Sequence, residues 1–472
     1  MKMTTIENQD PNQVAFSVKG APGQLPALVD IMNEHGVSKF AITKDGDVTA
    51  HAIQALNYTT AYSSLQAALD SSLNFGNNDE DNFKGRWGGR TLFHPAGTLA
   101  VTGTAFMSSN NSLVGEGKKS SVLSWQDNNT TTDGFTLMPS YVDNDFGMVG
   151  WWMIRDICFR GNGPLIKDTP GGWDTVALKT GITLRDDPYI TPLRPEMKTY
   201  FDLTIADSLV YGWGGSCINI DTASEGWGGF NHLVRSWLVA CGHYGLLLRG
   251  DQRPWTIQGC HVTNYGYLNN AASGIAMFSQ FPLSMTNTAV ETAHSAFGSG
   301  VSLAGVKHFN IDNLYLEGLA YGLDISGNAS MGRVTNVFNY GGAYGLMLSD
   351  AVNVVVDGFS LTWAGKAGLF SGSLAGSVVK NWGANADCPI EWGTVTVEPE
   401  RIENCTCPSS PYPFVVRGTG SHTGVPVKAT AGAPTDAVYG AVVGTLVFNS
   451  DESKFYIKAS VATDDWHSVT VS

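Results

Sequence analysis

The stretch AYGLDISGNASMGRVTNVFNYGGAYGLMLSD, from Ala320 to Asp350, contains one tetrapeptide twice. Ala320-Tyr321-Gly322-Leu323 returns as Ala343-Tyr344-Gly345-Leu346, 23 positions later. A repeat at such an interval is the signature of stacked structural units. Working outward, a glycine followed by apolar residues opens GLLL at Gly245, GIAM at Gly274, GVSL at Gly300, GLDI at Gly322, GLML at Gly345 and GLF at Gly368. The intervals are 29, 26, 22, 23 and 23. GITL at Gly181 and CINI at Cys217 fit the same template upstream, with longer excursions between them, and PIEW at Pro389 continues it downstream. Strand-sized units with variable loops point to a solenoid rather than a sandwich.

A second ladder fixes the register. Ser208, Ser236, Gly259, Asn287, Asn313, Asn336 and Gly358 each precede a short alternating segment such as LYLE or VFNY. These are turn residues, tolerant of left-handed backbone. Within LYLE the alternation sends Leu314 and Leu316 to one side and Tyr315 and Glu317 to the other. No single coil can bury its apolar side alone. Coils stacked about 4.8 Å apart pair every backbone group and build one continuous core. The expected fold is all-β, a right-handed parallel β-helix, with small β-rich modules at either end.

Composition agrees. The 472 residues include 55 glycines and 13 tryptophans but only 15% charged residues, a turn-rich β profile. A net charge of −14 repels phosphate backbones, so no nucleic-acid partner is expected. No apolar run is long enough to span a bilayer, and MKMTTIENQD has no apolar export region, so cytoplasmic synthesis without membrane insertion is expected. The seven cysteines show neither CxxC nor zinc spacing and read as buried free thiols; no metal and no cofactor is expected.

The segment SLQAALDSSLNFG, then GGRTLFHPAGTLAVTGTAFMSSNNSLVGEGKKSSVLSW from Gly88 to Trp125, resembles the opening of pectate-lyase-like β-helices. The resemblance spans roughly Ser63 to Val416. Leu65, Ala68, Leu69 and Leu73 lie on helical spacing, so Ser63 to Leu73 can plug the open apolar end of the solenoid. This scaffold carries lyases, hydrolases, isomerases, esterases and binding-only proteins, so function must be argued from the site.

The flanks resemble the modules of bacteriophage tailspikes and tail fibres. VAFSVKGAPGQLPALVDIMNEHGVSKFAITKDGDVTA reads as short strands broken by Gly-Ala-Pro-Gly, His-Gly and Asp-Gly turns, and GAVVGTLVFNSDESKFYIKASVATDDWHSVTVS as a closing meander. The expected division is an attachment module over 1–57, the capped β-helix over 58–416 and a β-meander over 417–472. The resemblance implies a homotrimer in the virion that binds a bacterial surface polysaccharide, O-antigen or capsule. It also implies docking on a phage tail or baseplate protein through the N-terminal module.

Glycoside hydrolysis needs two carboxylates a few ångströms apart, and stacked coils supply such pairs. Four positions past the second ladder stand Gly212, Ala240, Thr263, Glu291, Glu317, Tyr340 and Thr362, so Glu291 and Glu317 fall side by side on consecutive coils. Mutual repulsion is expected to raise one pKa, as a general acid requires. Two positions past the ladder the outward column reads His261, Ala289, Tyr315 and Phe338, so Tyr315 and Tyr340 can stack on a sugar. Asp324, outward in GLDIS, is the next catalytic candidate, followed by Asp221. A binding-only adhesin would use Trp213, Trp227, Trp255 and Trp363 as platforms. A lyase would need clustered carboxylates and a basic residue, of which only Arg185-Asp186-Asp187 offers a part.

Overall fold

The computed structural model describes residues 58–70 and, with breaks, 91–403, together with short segments within 27–49 and 415–470. Among the described residues one 29-stranded sheet winds through the central region. Its coils pair almost entirely in parallel, with the right-handed crossover that parallel strands take. Each coil contributes three strand segments, so the solenoid has three faces. The third is where GLLL, GIAM, GVSL, GLDI and GLML begin their strands.

The glycines of that repeat are explained by close approach. A Cβ on Gly274 would collide with Val290 and meet the Gly300 carbonyl oxygen at 2.9 Å; one on Gly300 would meet the Gly322 carbonyl oxygen at 2.8 Å. At this corner the backbone of each coil runs against both the glycine of the next coil and the side chains of the second face. Only glycine leaves room. Below the corner the interior is a run of in-register aliphatics: Leu92, Leu113, Ile154, Ile205, Leu233, Ile257, Met285, Ile311, Val334, Val356 and Val379, all essentially inaccessible.

The second ladder joins the first and second faces through one left-handed residue per coil. Gly259, Asn287, Asn313, Asn336, Gly358 and Asn381 all have positive φ, and Asn313 Nδ2 donates to Asn287 Oδ1 at 2.6 Å. Upstream the left-handed residues are Asp207 and Arg235, not Ser208 and Ser236. The serines sit one place further on, buried, with Ser236 Oγ accepting from the Ser208 N–H. The outward column therefore begins with Tyr211 and Val239 rather than Gly212 and Ala240. Arg235 is held in its unusual backbone state by a bidentate pair with Asp207, Nε to Oδ1 at 2.7 Å and Nη2 to Oδ2 at 2.6 Å.

The N-terminal end is capped as expected. A helix spans Leu65–Asp70, Ser64 Oγ accepts from the Ala67 N–H at 3.1 Å, and Leu65, Ala68 and Leu69 are buried. The side-chain amide of Gln66 accepts from Phe106 N–H at 2.8 Å and donates to Phe106 C=O at 3.3 Å, pairing backbone on the first coil's open edge. Leu73 lies outside the described residues. Within the flanks, Ala27–Met32, Ser38–Thr43 and Val48–Thr49 form an antiparallel three-stranded sheet. Leu446–Asn449, Lys454–Lys458 and Trp466–Thr470 form an antiparallel meander that Lys428–Thr430 joins in parallel. Cys158, Cys217, Cys241 and Cys260 are buried free thiols, and burial pushes the Cys158 thiol up to about 12. Among the described residues no helix is long and apolar enough to cross a membrane.

Replacing Gly274 by alanine drives a methyl group into Val290 and against the Gly300 carbonyl oxygen of the next coil. Gly274→Ala is expected to cost about 2–3 kcal/mol, measured as a lowered midpoint of denaturant unfolding; an unchanged midpoint would contradict the close-approach account.

Candidate functional site

The second face carries the paired carboxylates. In the strand Leu283–Ala304, Thr288 and Val290 point inward while Ala289 and Glu291 point outward; in the strand Phe309–Ser326, Leu314 and Leu316 point inward while Tyr315 and Glu317 point outward. Glu291 and Glu317 are register partners, so their backbones stand about 4.8 Å apart on adjacent coils. Thr263 precedes them in the column, and Tyr340 and Thr362 follow. Both glutamates are half-buried.

Each carboxylate has its own partner. Tyr315 Oη donates to Glu317 Oε2 at 2.5 Å, within the same strand. That hydrogen bond, then burial and the negative charges of Glu317 and Glu291, push the Tyr315 phenol up to about 12. Tyr315 thus remains a proton-bearing donor across the physiological range. Its ring stacks on Phe338 of the next coil, 5.5 Å between centroids and 12° between planes. On the other side, His261 Nε2 lies 2.8 Å from Glu291 Oε1, a close contact whose direction is poor for a ring N–H hydrogen bond. His261 meets the edge of Trp237 at 6.0 Å, and the ammonium groups of Lys118 and Lys119 lie 4.7 and 5.3 Å from the Trp237 ring.

The outward column on this face therefore reads Trp237, His261, Ala289, Tyr315, Phe338 in register. Aromatic rings stand on both sides of one small residue. Ala289 is that residue, and Glu291 and Glu317 lie two positions further along the strands of Ala289 and Tyr315. A half-exposed wall of rings next to two carboxylates on adjacent coils can stack a sugar ring and deliver a proton to its glycosidic oxygen.

The other candidates fall elsewhere. Asp324 lies on the third face, separated from Glu317 by the left-handed turn at Gly318, and pairs in register with Ser302 and Met347. Ser302 Oγ donates to Asp324 Oδ2 at 3.1 Å, while Oδ1 is buried without a partner. Burial raises its carboxyl above the usual range. Trp213 is no sugar platform: it is 4% exposed, packs on Trp125 at 5.5 Å and donates Nε1–H to the Phe159 carbonyl. Trp255 is likewise interior, because both rings fill the wide core where aliphatics alone would leave voids. Trp227, Trp363, Asp186 and Asp187 lie outside the described residues. Asp221 pairs in register with Arg185 and Arg249 on the third face. Among the described residues no three His, Cys, Asp or Glu side chains converge on a metal position.

The His261–Glu291 contact is the feature of this face that sequence columns did not give. The column placed His261 beside Ala289, but the contact runs diagonally, one coil up and two residues along.

No family model and no curated protein sequence matches this chain. Solved structures overlay it as a solenoid. The enzymatically active domain of tailspike protein 2 from bacteriophage CBA120 superposes on 75% of this chain at 11% identity and a TM-score of 0.47. This chain spans 54% of that domain. ORF18 of Geobacillus virus E2 covers 94% of this chain and 95% of its own, at 13% identity and a TM-score of 0.46. A DFA-IIIase from Arthrobacter chlorophenolicus A6 covers 73% and 85%, at 12% identity and a TM-score of 0.45. At such values the overlays carry over no residue and no activity; the fold stands on this chain's own strand pairing.

The raised carboxyl of Asp324 has a stability consequence. Between its ordinary pKa near 4 and its raised folded value, the folded state binds more protons than the unfolded one, so stability falls as pH rises through that window. Asp324→Asn removes the charge. The melting temperature is expected to rise by about 2 °C at neutral pH and to match the parent protein's below the ordinary carboxylate pKa, as read by thermal melts at both pH values.

Proposed function

We propose that this chain is a bacteriophage tailspike that binds a bacterial surface polysaccharide and hydrolyses it at Glu291 and Glu317. The observation that carries the reading is the in-register pairing of these two carboxylates on an aromatic wall, with the Tyr315 hydroxyl on Glu317 and the His261 ring against Glu291. A backbone spacing of about 4.8 Å lets the two side chains reach the roughly 5 Å carboxyl separation of retaining glycosidases. Isolated surface acids need no such partners.

In this reading Glu317, fixed by the Tyr315 hydroxyl, is the nucleophile, and Glu291, beside an imidazole, is the acid and base. Glu291 protonates the glycosidic oxygen while Glu317 attacks the anomeric carbon; the carbon–oxygen bond breaks and the leaving sugar departs as an alcohol. Glu291 then takes a proton from water, whose oxygen displaces Glu317 and regenerates both carboxyl groups. Tyr340 and Phe338 extend the stacking wall along the chain of sugars. The flanking modules at 1–57 and 417–472 support the tailspike reading by their resemblance to attachment and closing modules. With them come the homotrimer, the tail or baseplate partner and the virion location.

Incubation with lipopolysaccharide or capsule from a susceptible host is expected to release reducing ends. Glu291→Gln and Glu317→Gln should each lower turnover by at least about 10²-fold while leaving polysaccharide binding in place. An unsaturated, ultraviolet-absorbing product would instead indicate elimination, and binding with no product would indicate an adhesin. Full turnover in both variants would remove these residues from the chemistry.

A further inference from the structure

We infer that a slot on the neighbouring first face, between Trp151 and Phe230, is a second saccharide site that takes one pyranose unit of a neutral glycan between two aromatic faces. Strands Gly147–Arg155, Thr199–Ala206 and Asn231–Val234 stack in parallel there, with Met153, Thr204 and His232 in register. Two positions earlier, Trp151 pairs with Asp202. Phe230 immediately precedes the next strand and continues that register to the level of Asp202. Two coil spacings separate the two rings' backbones by on the order of 10 Å, and the Asp202 carboxylate occupies the coil between them.

The slot is built as a ligand site rather than a bare surface. Trp151 is 43% and Phe230 66% exposed, large apolar side chains left in water at a concavity. With Asn110, Thr204 and His232 they line a cavity of about 440 Å³, in the range of small-ligand pockets. An aromatic face stacks on the C–H face of a pyranose, and a carboxylate accepts two neighbouring hydroxyls at once. Among the described residues no lysine or arginine lines the cavity, so there an anionic sugar would meet Asp202 with no lysine or arginine counter-charge. Beyond the slot the outward column continues as Thr256, Ser284, Asn310 and Arg333, polar on every coil, toward a second cavity of about 600 Å³ at Asp312 and Asp357. A glycan seated in the slot can therefore lie along the face. This site shares no residue with Glu291 and Glu317 and does not depend on the hydrolytic reading.

The test is saturation-transfer-difference NMR on the full chain with the methyl glycosides of glucose, galactose, mannose and rhamnose. At least one glycoside should receive saturation at its ring C–H protons, with binding about tenfold weaker in Trp151→Ala. The signal should also be lost in Asp202→Asn, a near-isosteric change that keeps the fold. The proposal is overturned if no glycoside is saturated or if both slot variants bind as the parent does. It is equally overturned if Trp151→Ala leaves sugar binding intact but changes the oligomeric mass in sedimentation, which would make the slot a contact between copies of this chain.

Discussion

The chain is organised by the requirement that each coil hydrogen-bond, in register, to the coil below at a spacing of about 4.8 Å. Strand pairing from Thr91 to Glu403 holds that spacing through coils of unequal length, because excursions are placed between strands and not within them. The glycines at 245, 274, 300 and 322 are its most direct trace. Their missing side chains let one coil's corner lie against the carbonyl oxygen of the next and against Val262, Val290, Leu316 and Asn339. A methyl group at any of them would hold two coils apart, and the mismatch would pass to every column on both adjoining faces.

Fixed spacing converts sequence positions into vertical neighbours, and this explains both the strength and the cost of the carboxylate site. Like charges directly opposite one another on adjacent strands repel. Glu291 and Glu317 stand in that relation, and the surrounding columns meet it with His261 on one side and Tyr315 on the other. Adjacent coils also meet at the uncharged Asn287–Asn313 pair and, on the first face, at a charged one, where Thr335 and Asn336 both donate to Asp312 Oδ1 at 2.6 and 2.8 Å. Those donors hold the Asp312 carboxyl below its usual range, which marks the ladder as a means of stabilising charge as well as turning the chain.

How far the sequence could be read follows from the same geometry. The period, the cap and the Glu291–Glu317 pairing were legible because Gly, Asn and Leu announce turns and interior positions directly. Asp207 and Arg235 were not, since a left-handed arginine is held by a bidentate partner 28 residues away and not by any preference of its own. The interior position of Trp213 and Trp255 was hidden for a similar reason. Tryptophan suits both a wall and a wide core, and the choice rests on the volume left by neighbouring coils. The Trp151 slot was missed because its ladder begins before the glycine repeat, where excursions of differing length conceal the period.

The capping helix shows why the two faces can carry exposed rings at all. A solenoid ends in an edge whose unpaired N–H and C=O groups invite another strand, and each exposed aromatic adds to that hazard. Here Leu65 and Leu69 close the interior from above, while the Gln66 amide answers both backbone groups of Phe106. Phe93 and Phe106, on the first described coil, are themselves 40% and 42% exposed, so this edge would otherwise be both apolar and unpaired. Satisfying the backbone there removes the directional part of the attraction. The rings further along the stack stand on described strands whose backbone groups pair with the coils on either side.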